Sequence, residues 1–566
     1  MIDQLPEKIS PRLFYVIAAI FLIAVFLLTL KPIADYDTGY HLKTGEYIVT
    51  HSAVPLYDIF SYTAPNARWI AHYWLSDVVF YEIDRTLGNY GLIAFISILA
   101  TLTYFIVLKL TWEKIGKRLL PLILFFVFSY LTLELWVVRP QVFTYFFAVF
   151  LIYILEKWRH FKNIRLLYLL IPIFIVWANM HAGVILGFAV IGLYAAQYCL
   201  ANWHNKRLFI KPLSIFAVSI LATLLNPNGY KTIIYGWIIA PVVKQMRVTE
   251  WESIFSYMEK WQAKVFLVFL VATLIFVWWA VLRRKKKFLE MDWVSLGLVT
   301  GAAIMPLISI RHIAFFPLFS LPVVSLYLSR WLDEKGVIFE RVIFAVPLTI
   351  LIGVILIIGP AIRLVRMPDV LMPPLPIGTA DFILKNNIPG PIFNPEHYGG
   401  YLIWRLWPDY KVFIDGRSEI YMGTPNSDYN AILYQDKGWE NLVNDKYKIN
   451  LIIMTYPEFA NDAGLKLVQG IHKLGFVTVY YDDTALVFVR DSEQNKNVID
   501  KFGDRLIDPF SNVNAIPKNK LAQAYIEALN NLKNSPDALI SKYIVEFLKI
   551  RLNQEEISVP TVQTTP

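Results

Sequence analysis

One cysteine, Cys199, in 566 residues leaves no disulfide within the chain and no Cys-based metal site. Charge is scarce too: Asp, Glu, Lys and Arg together make up 17%, against roughly a quarter in an average soluble domain. Hydrophobic residues reach 56% and the mean hydropathy is +0.48. That balance excludes an ordinary soluble domain and places most of the chain in lipid. The formal charge of +9 is not a nucleic-acid signature, because the basic residues fall in short loops between apolar runs. Membrane lipids are the expected surroundings, and no nucleic-acid partner is expected.

About eleven membrane-length runs can be read, near 13–30, 91–109, 119–138, 141–156, 165–179, 183–201, 212–226, 264–282, 292–310, 313–330 and 340–360. The first ends in Lys31-Pro32 without a small-residue cleavage site, so it reads as a retained span and not as a signal peptide. Basic clusters alternate along the chain. Lys109/Lys114/Lys117/Arg118, Lys157/Arg159/Lys162/Arg165, Lys206/Arg207/Lys211 and Arg283-Arg284-Lys285-Lys286-Lys287 all fall on one side, cytoplasmic by the positive-inside rule. The N-terminus is then inside, and the 31–90 loop and everything after about 361 are outside.

With that sidedness, Asp35, Asp37, His41, His72, Arg139, Asn179, His181, Glu250, Arg311 and His312 are all expected at the outer ends of the spans. Ionisable groups there are functional candidates, and together they read as the rim and floor of one polar cavity. Two carboxylates and an imidazole in Asp35-Tyr36-Asp37-Thr38-Gly39-Tyr40-His41, at a lipid boundary, point to an enzyme working on a membrane-borne substrate. The cytoplasmic ends show nothing comparable; their charges read as Lys and Arg anchors.

The fold class is therefore a polytopic α-helical membrane protein with an extracytoplasmic α/β domain and a short helical tail. Residues 1–366 form the transmembrane domain, 377–490 the α/β domain, and 491–566 the helical tail and a disordered C-terminus. Within the 31–90 loop, a short helix is predicted over 39–49, capped by Asp37 or Thr38. Residues 55–61 read as extended, 65–67 as a turn, and 72–87 as an amphipathic helix along the membrane surface. After a Pro-rich linker at 367–376, helices are predicted at 379–386 and 399–406. Strands are predicted at 391–394, 411–415 and 450–454, with a hairpin over 476–481 and 485–489. Two amphipathic helices within 519–552 are broken by Asn534-Ser535-Pro536.

The chain resembles the GT-C superfamily of membrane glycosyltransferases, which includes oligosaccharyltransferases, protein O-mannosyltransferases and aminoarabinose transferases. The matching features are an N-terminal span, a long first external loop with an acidic motif near its start (Asp35-Tyr36-Asp37), surface helices, many further spans and an external soluble domain. The strings Asp37-Thr38-Gly39-Tyr40-His41, Gly45-Glu46-Tyr47-Ile48, Pro55-Leu56-Tyr57-Asp58, Trp177-Ala178-Asn179-Met180-His181, Asn226-Pro227-Asn228-Gly229, Gly399-Gly400-Tyr401-Leu402 and Phe413-Ile414-Asp415-Gly416-Arg417 look like a bacterial branch of such proteins. No Trp-Trp-Asp acceptor motif is present, since Trp278-Trp279 is followed by Ala280. A glycan or lipid acceptor is therefore favoured over a peptide.

The resemblance implies an inverting transfer from a polyprenyl-phosphate-linked sugar at the extracytoplasmic face of the cell membrane. Such a transfer needs a base for the acceptor hydroxyl and cations for the departing phosphate. The base maps onto Asp35 or Asp37. Asp37 has an alternative task as a helix cap, so Asp35 ranks slightly ahead. His41 either orients the acceptor or, with Asp35 and Asp37, ligates Mg²⁺ or Mn²⁺; no cofactor is certain. Arg139 and Arg311-His312 are candidates for the lipid phosphate. Glu250 pairs with one of these arginines or holds sugar hydroxyls, and His72, Asn179 and His181 complete the substrate-binding set, with helix capping as the alternative for the last two. Asp415 and Arg417 read as an internal ion pair. The rival functions are a glycan ligase or polymerase of another mechanism, a non-catalytic assembly protein on the same scaffold, and a transporter. The absence of internal repeats counts against the last.

Overall fold

Apolar runs of membrane length fold as helices because lipid offers backbone groups no partner except each other. The computed structural model describes residues 10–33, 35–130, 132–245, 249–284, 288–336, 375–456, 462–510 and 513–557. They divide into two units: Met1–Ile33, Gly45–Val54 and Ile70–Val370 form one, and Ala34–Thr44, Pro55–Trp69 and Leu371–Pro566 form the other.

In the first unit, six helices are long and apolar enough to cross a membrane: Pro11–Thr29, Trp74–Ile115, Gln141–Phe161, Ala182–Ala201, Trp261–Leu282 and Phe315–Glu334. At 1.5 Å per residue, about 20 residues cover the roughly 30 Å hydrocarbon layer. Burial sorts them: 78% of the apolar window of Phe315–Glu334 is buried against 33% of that of Trp261–Leu282, so the former is central and the latter peripheral. The expected count of eleven is not reproduced. Leu119–Tyr130 stops short and gives way to a 3₁₀ turn at Leu133–Leu135. Residues 165–179 begin as a 3₁₀ turn before the Leu170–Met180 helix, and the run at 212–226 belongs to an Arg207–Ala222 helix with Pro212 inside it. The run at 340–360 lies outside the described residues. The Tyr230–Gln245 helix was not anticipated. The surface helix and the span read at 72–87 and 91–109 are one element, Trp74–Ile115, kinked at Gly88, whose φ of 65° a glycine adopts without strain.

The second unit is built on a four-stranded sheet: β1 (Ile392–Phe393), β2 (Leu451–Thr455), β3 (Phe476–Tyr481) and β4 (Ala485–Arg490), in the order β1-β2-β4-β3. β1 runs parallel to β2, and the other pairs are antiparallel, with Ile453 opposite Val487 and Val477 opposite Val489. The hairpin turns on Asp482, whose Oδ1 accepts the backbone N–H of Thr484 and of Ala485. β3 is an edge strand, and Asn531 covers its end: the amide donates to the Tyr481 carbonyl and accepts the Tyr481 N–H, both at 3.0 Å. Asn531 comes from the first of the two tail helices, Leu521–Asn534 and Leu539–Gln554. The strand expected at 411–415 does not join the sheet. Val412 instead bridges Ser61 of the loop stretch, because that stretch supplies the backbone groups the sheet does not. The turn at 65–67 is present, with Asn66 at φ 64° and the Ala67 N–H donated to Ala64 O.

Candidate active site

In the first unit, a 3₁₀ turn at Ile310–His312 links two long helices and carries Arg311. The turn is pinned where the Ile310 N–H donates to Glu252 O at 2.8 Å and Ser309 Oγ donates to Glu250 O at 3.1 Å. Arg139, just ahead of the Gln141–Phe161 helix, donates through Nη1 to both Glu250 oxygens at 2.7 and 2.8 Å. Burial alone would push the Glu250 carboxyl up, but Arg139 and Arg311 outweigh it and hold it below the ordinary value. Arg311 lays its guanidinium 5.2 Å from the Trp251 ring centre and donates Nε to Gln141 Oε1 at 3.1 Å. Its two terminal nitrogens have no hydrogen-bond partner among the described residues.

A cavity of about 100 Å³ lies here, lined by Gln141, Thr144, Tyr145, His181, Arg311 and His312 among others. A single water needs only roughly 10–15 Å³. The buried Tyr145 hydroxyl has no partner among the described residues, so one donor on the cavity wall awaits an acceptor. His181 Nδ1 accepts the Gly183 N–H at 3.1 Å and lies 2.8 Å from Thr144 Oγ1, which puts the ring proton on Nε2. The His72 ring centre is 5.7 Å from that of His181 and 3.9 Å from that of Tyr235. Burial, aided by Arg311, lowers His72 to about 3 and His312 to about 4. Both imidazoles are thus neutral near pH 7, offering N–H donors and no added charge. Asn179 is spent on the scaffold: it accepts from Trp74 Nε1 at 2.8 Å and donates to Ile175 O and Leu225 O.

The acidic motif, in the Ala34–Thr44 segment of the second unit, starts the helix Thr38–His51. Asp35 has a local task after all: its Oδ1 accepts the Asp37 N–H at 2.9 Å. That removes the reason for ranking it ahead of Asp37. The glycines of the sequence strings interlock around this turn. A Cβ on Gly39 would lie 2.3 Å from Gly400 O, one on Gly400 would lie 2.4 Å from Tyr36 O, and one on Gly416 would lie 2.3 Å from Asp37 Oδ1. At Gly39 and Gly400 the opposing atom is backbone, so no side chain fits there; at Gly416 the Asp37 side chain would have to move. His41 is buried, its ring centre 4.3 Å from that of Tyr40. Among the described residues no three His, Cys, Asp or Glu side chains gather as a metal requires. Asp35, Asp37 and His41 are accordingly not brought together as a three-ligand group.

The sequence reading missed Glu396, in the first turn of the Glu396–Leu406 helix. Burial, then Asp37, then Asp415 raise its carboxyl to about 7. An acid just ahead of the Gly399-Gly400 pair was the available signal. A raised folded-state value favours the protonated form, so its stabilising effect is complete below about pH 4.5 and is lost as pH rises through 7. Glu396→Gln should remove that loss, worth at most about 3 kcal/mol. Thermal melting from pH 5 to 8 checks it, and parallel profiles for the two proteins would refute it.

These features define a class: a polytopic helical membrane protein joined to a small α/β unit, with a phosphate-sized cationic cavity in the helical unit. Among solved structures, it matches the archaeal oligosaccharyltransferase AglB from Archaeoglobus fulgidus, in complex with an inhibitory peptide and a dolichol-phosphate. The TM-score is 0.54 at 12% identity over 96% of this chain and 87% of that one. A structure of the A. fulgidus oligosaccharyltransferase tethered to an acceptor peptide containing the NVT sequon matches at 0.50 and 12% identity, over 84% and 74%. The fold is therefore similar to that of this archaeal oligosaccharyltransferase. No protein-family model and no curated protein sequence matches the chain.

Proposed function

We propose that this protein is an inverting glycosyltransferase that moves a sugar from a polyprenyl-phosphate donor to a glycan or lipid acceptor at the extracytoplasmic membrane face. The observation that carries this reading is the Arg311 cavity. An arginine with its terminal fork unengaged, an unsatisfied Tyr145 hydroxyl and a neutral His312 face one small space, a donor set suited to phosphate oxygens. The fold adds support, because one neighbour with it was solved with a dolichol-phosphate.

In the reaction, the acceptor oxygen attacks the anomeric carbon as the bond from that carbon to the phosphate oxygen breaks. The bonding pair leaves with the phosphate, and the acceptor proton goes to a carboxylate. Asp37 is the proposed base, with Asp35 setting its backbone. Arg311, Tyr145 and His312 are the proposed phosphate contacts, and Glu250 holds Arg139 in place.

Arg311→Lys keeps the charge and loses the fork. It should raise the KM for a polyprenyl-phosphate sugar about tenfold or more, the size expected where one charge-assisted hydrogen bond of about 1.5–3 kcal/mol is lost. Steady-state kinetics in detergent check it, and unchanged donor kinetics would refute the phosphate assignment. Lipid and glycan profiling of a deletion strain tests the whole reading. An accumulating polyprenyl-phosphate sugar names the donor, and the glycan or lipid lacking a residue names the acceptor.

A further inference from the structure

The helices that carry the Arg311 cavity at one end hold a second, larger cavity at the other. It measures about 620 Å³, within the range of roughly 300–1,000 Å³ typical of small-molecule sites. It lies at the ends bearing the basic loops, which the sequence reads as simple anchors. The structure adds to that reading, because several of these charges are paired across helices. Lys114 meets Glu156 at 3.1 Å, Lys157 meets Glu113 at 2.9 Å, and Arg159 meets Asp292 at 3.0 Å. Tyr194 and Tyr327 donate their hydroxyls to Glu156 and Asp292.

Two arginines on the wall remain outside this pairing. Arg284 and Arg330 both approach the Tyr327 ring, at 5.6 and 6.0 Å from its centre. The acid nearest Arg284 is Glu334 at 4.0 Å, which Arg283 already engages. Among the described residues no carboxylate comes within 4 Å of Arg330. Two guanidiniums against one ring repel each other unless an anion lies between them, and their forked donors match phosphate oxygens. The geometry points to a binding site for a phosphate-bearing anion between Arg284 and Arg330, separate from the cavity at Arg311. The phosphate belongs to an anionic lipid headgroup or to a soluble phosphate compound. The proposal stands apart from the glycosyltransferase reading, since it concerns binding alone.

The test uses the full chain in nanodiscs of phosphatidylcholine, with pyrophosphate titrated calorimetrically. Binding should weaken at least tenfold in Arg330→Gln and in Arg284→Gln and persist in Arg311→Lys, which separates this site from the other cavity. Arg330→Gln orphans no carboxylate, so its melting temperature should match the parent; Arg284→Gln, on an exposed turn, is the second variant if it does not. Repeating the titration with phosphatidylglycerol in the nanodisc identifies the source. A weaker apparent pyrophosphate affinity assigns the site to a lipid headgroup, and an unchanged one to a soluble phosphate. Absence of pyrophosphate binding, or binding in an Arg311→Lys background that survives both arginine substitutions, overturns the proposal.

Discussion

Asp37→Asn is expected to lower sugar transfer by about 10²–10⁴-fold, the contribution typical of a positioned general base, while the protein stays folded. Asn is nearly isosteric, and that matters because Asp37 Oδ1 lies 2.3 Å from where a Cβ on Gly416 would stand. A larger residue would disrupt the turn and confuse misfolding with lost chemistry. Asp35→Asn should be the milder change, since an amide oxygen can still accept the Asp37 N–H that Asp35 now holds at 2.9 Å. The comparison is a transfer assay with a polyprenyl-phosphate sugar, run on both variants beside melting curves. Full activity in both would sink the base assignment and favour the non-catalytic scaffold. Loss in Asp35→Asn alone would move the base to Asp35.

Period and composition carried much of the fold. The Pro11–Thr29, Gln141–Phe161 and Trp261–Leu282 helices announce themselves by uninterrupted apolar runs, and the tail helices by their stripe and the Asn534-Ser535-Pro536 break. What stayed hidden depends on contacts remote in sequence. Residues 411–415 have the composition of a strand, yet Val412 finds its backbone partner at Ser61. The Tyr230–Gln245 helix was obscured by Gly229 before it and Pro241 within it. Glu396 looks like an ordinary first-turn acid until burial and Asp37 act on it. The Tyr145 hydroxyl sits in an apolar run whose sequence says nothing of the cavity beside it. The Arg139–Glu250 pairing was legible as a possibility because both residues flank spans, but the bidentate geometry was not. Ion pairs such as Arg159 with Asp292 join residues 133 positions apart, a separation no local pattern encodes.

Arg417→Met should destabilise the second unit by about 3–5 kcal/mol, the range for breaking a buried ion pair by removing one partner. Arg417, Asp58 and Asp415 have fully buried side chains. The guanidinium meets Asp58 Oδ1 at 2.9 Å and Asp415 Oδ2 at 2.6 Å, and lies 4.5 and 5.0 Å from the Trp69 and Phe60 ring centres. One cation therefore compensates two carboxylates, and the loop stretch around Asp58 is tied through it to the 415–421 turn. Removing the cation strands both acids where water cannot reach them. Met fills part of the volume under the aromatic rings, so the cost is electrostatic more than steric. Asp58→Asn is the contrasting change. It leaves Arg417 and Asp415 as a neutral pair, and the single amide oxygen keeps only one of the two N–H groups that Asp58 serves, Phe60 through Oδ1 at 3.1 Å and Ser61 through Oδ2 at 3.0 Å. Its cost should stay at about 1–3 kcal/mol, the scale of one buried donor left without its acceptor, and below that of Arg417→Met. Denaturation followed by near-UV circular dichroism of the Trp69 environment measures both. Equal losses in the two variants, or a wild-type melting curve for Arg417→Met, would mean that the aromatic packing around Phe60 and Trp69 holds this junction without the ion triad.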